Sequence, residues 1–235
     1  VLLIDEQLQS INQTLVHLLG YDHPNQLEGQ HWSTLFSSQT ANDPYSLDHF
    51  KHLMAQNSGT FEWEFVGYSG WRVPCEVNLI PLETTRQTGW LITARDITER
   101  KNSEHTIYRL SHYDALTGLL NRHQLLTKIN HYLMSHDWQV DAPFALLHLD
   151  LAHFKLINET FGHAMGDALL QLIAERLGRH FTEQWLARIA GDEFVIFLPK
   201  IDHTLQPLRM AKECQQLIAT SARIQQAELS ISATV

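Results

Sequence analysis

Three carboxylates in the second half of the sequence stand where they could act together. Asp192 and Glu193 lie beside the turn of a predicted β-hairpin that spans residues 186–198. Asp150 ends an apolar run of strand composition at residues 144–149. If these strands pair, Asp150 and Asp192 meet at one edge of a sheet, and two close carboxylates make a site for a hard divalent cation such as Mg²⁺. The chemistry that such a site most often supports is phosphoryl transfer from a nucleotide.

Four short motifs surround these carboxylates in a fixed order. They are Asp-Ala-Leu-Thr-Gly-Leu-Leu-Asn-Arg (114–122), Asp-Leu-Ala-His-Phe-Lys-Leu-Ile-Asn (150–158), Gly-His-Ala-Met-Gly-Asp (162–167) and Ala-Gly-Asp-Glu-Phe (190–194). They resemble the successive signatures of a GGDEF domain, the diguanylate cyclase family, and four ordered motifs are far more specific than one short pattern. The resemblance implies that two GTP are joined into cyclic di-GMP with release of pyrophosphate. It also implies a homodimer in which each subunit holds one GTP.

The resemblance assigns roles to the acidic residues. In the family, the residues that match Asp150 and Asp192 bind Mg²⁺ (or Mn²⁺), assisted by a backbone carbonyl that corresponds to Leu151. The metals would neutralise triphosphate charge and polarise the attacking 3′-hydroxyl. Glu193 matches the second acidic residue of the turn, which is placed to help metal binding or deprotonation. Taken alone, Asp150 would more often cap a helix or turn; its expected closeness to Asp192 favours the metal role.

Five further residues match substrate-binding positions of the family. Asn158 and Asp167 correspond to the pair that contacts the guanine edge, and an amide with a carboxylate suits the donors and acceptor of that base. Phe154 would line the base pocket, Lys155 would lie along the phosphates, and Gly191 fits a turn that approaches the ligand closely. Two alternatives stay open, because Asp167 could cap a helix that starts beside it and Phe154 could belong to the core.

Three positions depart from the family pattern. Ala190 replaces the first glycine of the turn, and if that position needs a positive φ, alanine costs about 1 kcal/mol there. Ala152 replaces a frequent aspartate, and residues 150 and 152 would share a strand face, so one carboxylate is missing near the metal. Residues 181–184 are Phe-Thr-Glu-Gln instead of the Arg-x-x-Asp of a product-inhibition site. The chain also stops before the family's last strand and helix, so the domain is expected to be incomplete.

Residues 1–95 have a different sequence pattern, with short predicted elements and three strand-like runs at 60–66, 71–80 and 89–95. In the first run, Phe61, Trp63 and Phe65 alternate with glutamates, which is typical of an antiparallel strand with one buried face. A mixed section followed by a three-stranded meander indicates a small α+β domain.

This N-terminal part resembles a PAS sensor domain. The matching features are Asn12, Leu18-Leu-Gly-Tyr21, Gly29, Trp32, the hairpin at Gly70 and the closing motif Arg95-Asp-Ile-Thr-Glu-Arg-Lys101. The residues contain no cysteine motif for a flavin adduct and indicate no particular ligand for the domain.

From residue 113 onward, helical and strand patterns alternate. Helices at 122–135, 166–181 and 206–220 and strands at 144–149 and 186–198 follow the order αβαββα, and a further strand starts at Leu229. This order predicts a ferredoxin-like palm on an antiparallel sheet. The predicted fold is therefore α+β, with a PAS-like antiparallel sheet domain at 1–95, a helical linker at 96–112 and the palm at 113–235. The linker is either a spacer or a helix that pairs in a dimer.

Composition excludes several classes of protein. The 17 basic and 26 acidic residues give a formal charge of −9, which argues against a nucleic-acid or anionic-membrane binder. Two isolated cysteines are too few for a disulfide framework, so a cytoplasmic location is expected. No apolar run approaches the length of a membrane span, so no membrane contact is expected within this segment.

The sequence therefore predicts a bacterial signalling protein in which a PAS sensor controls a diguanylate cyclase. The alternative is a degenerate GGDEF domain that binds GTP and regulates an attached domain such as a phosphodiesterase. Ala190 and Ala152 favour the alternative, whereas the intact Asp150, Asp192 and Glu193 favour the enzyme. A pure dimerisation scaffold fits least, because the acidic and guanine-site residues are retained.

Overall fold

The described part of the chain divides into two compact units, Val1–Glu104 and His105–Val235. The computed structural model describes residues 1–36, 47–55, 59–83, 88–135, 137, 143–224, 227–229 and 231–235. Among the helices of these residues, none is long and apolar enough to cross a lipid bilayer.

The first unit is built on a five-stranded antiparallel sheet. Its elements are β1 (Leu2–Ile4), β2 (Gln7–Ser10), α1 (Gln13–Leu18), α2 (Leu47–Ala55), β3 (Thr60–Val66), β4 (Arg72–Glu83) and β5 (Thr88–Asp96), with 3₁₀ turns at Pro24–Gln26 and Trp32–Leu35. The strand order is β2-β1-β5-β4-β3. Strands β3, β4 and β5 are the predicted meander, and the strands β1 and β2 extend it at the β5 edge.

The alternation of β3 determines which face of this sheet is buried. Trp63 and Phe65 are 2% and 3% exposed and pack with Phe50 of α2, which is fully buried. Glu62 and Glu64 point the other way and form ion pairs at the surface. The large apolar area of these rings makes them the main contributors to the stability of the unit.

Helix α3 (Thr98–His112) follows directly and covers most of the predicted linker. Its start is capped by Asp96, whose side chain accepts a hydrogen bond of 2.8 Å from the backbone N–H of Thr98. No residue of the helix is buried, and the side chains of Ile107 and Leu110 are largely exposed.

The second unit is a sheet with helices on both faces. Its elements are α4 (Arg122–Ser135), β6 (Ala145–Leu151), α5 (Phe154–Phe161), α6 (His163–His180), β7 (Trp185–Ala190), β8 (Glu193–Leu198), α7 (Gln206–Ala219), β9 (Ala222–Ile224), β10 (Ala227–Leu229) and β11 (Ala233–Thr234). Four strands form an antiparallel sheet in the order β11-β6-β8-β7, while β9 and β10 pair as a separate hairpin. This order is the ferredoxin-like palm that the sequence predicted.

Each face of the palm sheet has its own core. On one face, alternate residues of β6 and β8 pack against α6 and α7, with Leu149, Phe194 and Ile173 completely buried. On the other face, Val195 and Phe197 pack against α4. From Phe194 to Leu198, strand β8 is therefore apolar, because both of its faces are covered there.

Several predicted boundaries are wrong. An additional helix, α5, stands between β6 and α6, so the element order is longer than αβαββα. Helix α6 begins at His163, three residues before the predicted start. The expected strand from Leu229 is instead two short strands, β10 and β11, with Ser230 outside the described residues. Short polar segments carry too little periodicity to fix such ends.

Candidate functional site

Asp150 and Glu193 are direct partners across the palm sheet. Strand β6 pairs with β8 in an antiparallel register that sets Asp150 opposite Glu193. The backbone N–H of Leu151 also donates a hydrogen bond of 3.3 Å to the backbone carbonyl of Asp192. The predicted convergence of the two strands is thus present, with Glu193 instead of Asp192 as the cross-strand partner of Asp150.

The carboxylates of Asp150 and Glu193 lie on the sheet face opposite the large core. Leu147, Leu149 and Leu151 point into that core, so the alternate residues His148 and Asp150 are exposed. The His148 Nε2 atom lies 3.8 Å from the Glu193 Oε2 atom. Neither partner of this pair is buried, so a ligand can reach the acidic side chains from solvent.

The turn of the hairpin consists of Gly191 and Asp192. Gly191 has a φ of +31°, which glycine adopts without the strain that a Cβ would add. Ala190 is the last residue of β7 and keeps a negative φ, since the positive values among non-glycine residues fall on Asp5, Glu6 and His153. The expected cost of alanine at position 190 therefore does not arise in this turn.

Arg188 connects the hairpin turn to the segment that begins at Asp114, a contact that the sequence did not predict. Its Nε atom donates to the Gly191 carbonyl at 2.9 Å, and its Nη1 atom donates to the Asp114 carboxylate at 3.0 Å. The backbone of Leu120 adds a bridge to β7 beside it. The first motif, residues 114–122, thus supports the turn. In the sequence, the only indication of this contact is a basic residue, Arg188, close before the turn.

The carboxylate of Asp114 is held in its charged form. Burial by itself would raise the pKa of Asp114, but hydrogen bonds from Thr117 and Arg188 outweigh burial and lower the pKa below its usual range. Thr117 donates through both its backbone N–H, at 2.9 Å, and its hydroxyl, at 2.6 Å. Both bonds and the ion pair with Arg188 are stronger with the ionised carboxylate, so they favour that form.

Asn158 of α5 and Gly166 of α6 form a second part of the site. The side-chain oxygen of Asn158 is buried and accepts no hydrogen bond from the described residues. It occupies the place where a Cβ on Gly166 would stand, and the Phe154 ring lies 3.1 Å from that point. The amide therefore lies in a cradle between two helices, and its buried oxygen has no hydrogen-bond donor among the described residues.

The other predicted substrate-binding residues differ in how exposed they are to solvent. Phe154 is 8% exposed and belongs to the large core as well as to the cradle, so both interpretations of this ring apply. Lys155 is highly exposed, with its Nζ atom 3.7 Å from Glu159. Asp167 is exposed and follows Gly166, in the second turn of α6. Because α6 begins at His163, the alternative that Asp167 caps the helix is wrong.

The donors near the hairpin suit a hard cation only in part. Asp150 and Asp192 would supply carboxylate oxygens and Leu151 a backbone carbonyl, but within the described ranges no three His, Cys, Asp or Glu side chains are grouped to hold a metal. Such a donor set fits Mg²⁺, which keeps several waters and takes oxygens from substrate phosphates. Ala152 lies in the turn after β6, so the expectation that it shares a strand face with Asp150 is wrong.

Comparison with protein families matches both parts of the chain. The family model described as "Diguanylate cyclase, GGDEF domain" matches residues 111–235, and the PAS domain model matches residues 1–99. The first match covers more than half of the chain and includes every acidic residue of the hairpin site.

Individual relatives match the whole chain or about half of it. The chain is 27% identical to diguanylate cyclase DgcM of Escherichia coli over 97% of its own length and 53% of that protein. It is 35% identical to signaling protein YkoW of Bacillus subtilis over 52% of its length and 15% of that protein. The chain thus spans about half or less of the length of these relatives.

A solved structure of the coiled coil and GGDEF domain of DgcB from Caulobacter crescentus, in complex with c-di-GMP, matches 59% of this chain and 74% of the DgcB chain. Its identity is 20% and its TM-score 0.52, which supports the fold.

Proposed function

The chain belongs to the GGDEF family of diguanylate cyclases and carries a PAS domain before that domain, and from this premise we propose that it is a PAS-controlled diguanylate cyclase. The reaction joins two GTP into cyclic di-GMP with release of two pyrophosphates. The observation that carries the proposal is the register that sets Asp150 opposite Glu193 and beside the backbone of Asp192.

The reaction needs two GTP with opposed orientations. The 3′-hydroxyl of each nucleotide attacks the α-phosphorus of the other, a P–O bond forms, and pyrophosphate leaves. One subunit offers a single hairpin site, so two subunits facing each other as a homodimer would hold both substrates. Glu193 would assist removal of the hydroxyl proton, and its partly exposed side chain at the end of β8 nearest the turn supports this role.

The metal would be held by Asp150 and Asp192, with a backbone contribution from Leu151. When bound, Mg²⁺ or Mn²⁺ supplies neutralisation of triphosphate charge and polarisation of the hydroxyl. The turn at Gly191 leaves open space on the side where a Cβ would stand, so phosphate oxygens can approach the backbone there.

Guanine recognition would rest on Asn158 and Asp167. The unpaired Asn158 oxygen is an acceptor, and guanine presents N–H donors at N1 and N2. Asp167 lies next to Gly166, which faces Asn158, so its carboxylate can take the second donor. Lys155 is exposed at the start of α5 and would lie along the phosphates.

A degenerate GGDEF domain that binds GTP and regulates an attached domain, such as a phosphodiesterase, is the second candidate. Ala152 favours it, because the family frequently has an aspartate at this position. Ala190 no longer favours it, since its backbone is unstrained.

The decisive experiment measures cyclic di-GMP formation and GTP binding on the protein in its natural full length with Mg²⁺. Asp150→Asn and Asp192→Asn should each abolish turnover and leave the fold intact, because each removes a charged ligand at the surface. Glu183→Gln, at the opposite end of β7 from the turn, is the matched control and should keep full activity.

The outcomes separate the two candidates. Turnover in the parent protein that is lost in both aspartate variants supports the enzyme. GTP binding without any product in the parent protein supports the regulatory domain. Full activity in either aspartate variant contradicts the metal assignment.

A further inference from the structure

A cleft of about 270 Å³ opens on the N-terminal unit, far in sequence from the hairpin site. Its apolar walls are Trp32, Trp90, Leu3 and Met54. Leu3 and Trp90 are cross-strand partners on β1 and β5, so their positions are fixed by the sheet. Trp32 is 3% exposed and is held by edge-to-face contacts with Phe36 and Phe50. The cleft is therefore preformed rather than a gap between mobile side chains.

The rim of the cleft is acidic. Asp5 and Glu6 form the turn between β1 and β2, with φ values of +49° and +63°. Glu6 accepts contacts from Lys51 Nζ at 2.8 Å and from His31 Nε2 at 3.1 Å. Asp5 makes neither a hydrogen bond nor an ion pair with the residues that the structure describes. The rim therefore holds two carboxylates against the single ammonium group of Lys51.

The ammonium group of Lys51 occupies a position in the cleft that suits a cation. Its ammonium nitrogen contacts the Glu6 carboxylate and lies 5.9 Å from the centre of the Trp32 ring. This is the geometry of a cation between a carboxylate and the negative face of an indole. The lysine side chain is 43% exposed, so it can swing out into solvent and vacate the position.

The indole N–H of Trp32 is buried and finds no acceptor within the described part of the chain. A buried donor left unpaired is costly, so an ammonium ligand that also carries a hydroxyl oxygen can supply the missing acceptor.

We propose that this cleft binds a small organic ammonium ion, with the indole rings of Trp32 and Trp90 against its alkyl groups and the carboxylates of Asp5 and Glu6 against its charge. Lys51 is the internal cation that the ligand displaces. An anionic ligand fits poorly, because it would face two carboxylates. A neutral apolar ligand would gain from the walls but leave the charged rim without a partner. The proposal concerns the PAS domain alone and does not depend on the chemistry of the GGDEF domain.

The test uses choline as the probe and its uncharged isostere 3,3-dimethylbutan-1-ol as the matched control, with binding measured by calorimetry on the full chain. Choline should bind and the isostere should bind at least about tenfold more weakly, since only the cation gains from the carboxylates and the indole faces. Lys51→Met should tighten choline binding about tenfold, because it removes the competing ammonium and keeps the length of the side chain. A gain in affinity cannot arise from misfolding.

Two loss variants complete the design. Asp5→Asn and Trp90→Leu should each weaken choline binding several-fold, with the fold checked by circular dichroism. Arg72→Gln changes a charge elsewhere on the same unit and should leave binding unchanged. Equal binding of choline and the isostere, or no change in Lys51→Met, would overturn the proposal, as would the absence of choline binding at millimolar concentration.

Discussion

The side-chain oxygen of Asn158 fills the space that a Cβ on Gly166 would need. The two residues lie on different helices, α5 and α6, and the Phe154 ring closes the same space from below at 3.1 Å. The position of the amide thus depends on the absence of a side chain eight residues later. This couples the fold of the motif at 162–167 to the proposed guanine contact.

Gly166→Ala should therefore harm both stability and nucleotide binding. The new methyl group must displace the Asn158 amide or push α5 and α6 apart, and overpacking of this kind costs typically 1–3 kcal/mol. We expect a lower unfolding temperature for the C-terminal unit and a weaker affinity for GTP, measured by calorimetry.

Gly178→Ala is the matched control on the same helix. A Cβ at Gly178 meets nothing within 4 Å, so alanine should stabilise α6 by up to about 1 kcal/mol through its helix propensity. If both variants change stability in the same direction, the cradle does not constrain residue 166.

Asn158→Ala should weaken GTP binding far more than ATP binding. The lost contact is to the base, while the phosphates are held elsewhere, and a missing hydrogen bond to a buried polar group is worth about 1–3 kcal/mol. The unliganded protein should lose little stability, since the Asn158 oxygen makes no hydrogen bond to the described residues. Competition titrations with both nucleotides measure the ratio. Equal weakening of GTP and ATP would remove the guanine-reading role.

The sequence predicted the parts of the site that depend on strand alternation. The strand that ends at Asp150 pairs with the hairpin as predicted, because β6 alternates apolar and polar residues and β8 is apolar from Phe194 to Leu198. The register sets Glu193, rather than the predicted Asp192, opposite Asp150. The same pattern in β3 predicted which side chains of the first unit are buried.

Contacts between distant segments were not predictable in the same way. Helix α5 has only eight residues, so its period is too short to separate from a loop. The bond from Arg188 to Asp114 joins residues 74 positions apart, and no local pattern encodes such a pair. Which residue of the turn takes the positive φ was left open by the sequence; in the structure the register shifts between Arg188 and Ala190, and the positive φ of the turn falls on Gly191.

Acid should loosen the support of the hairpin through Asp114. The pKa of this carboxyl is lowered in the folded protein, so its stabilising contribution is complete above its unfolded pKa of about 3.9 and is lost as pH falls through the lower folded value. Hydrogen-exchange protection of the Thr117 amide, which donates to Asp114, should therefore fall below about pH 4 after correction for intrinsic rates. Asp114→Asn should show lower protection at neutral pH and a flatter profile. A parent profile that is equally flat would contradict the role of the ionised carboxylate.

Ala190→Gly and Gly191→Ala test the turn itself, since they exchange the same two residue types at neighbouring positions. Ala190 has a negative φ at the end of β7, so glycine there relieves no strain and adds backbone freedom to the unfolded chain, at a cost of about 0.5–1 kcal/mol. Gly191 has a φ of +31° with open space around its missing Cβ, so alanine there meets strain but no clash.

We expect Ala190→Gly to keep cyclic di-GMP formation within about twofold of the parent, and Gly191→Ala to lose most of it because the backbone beside Asp192 must shift. Product formation and urea unfolding, measured on both variants, check the two effects separately. A large rise in turnover for Ala190→Gly would show that the Cβ of Ala190 obstructs the substrate, and undiminished turnover for Gly191→Ala would show that the turn is not held tightly by its contact with Arg188.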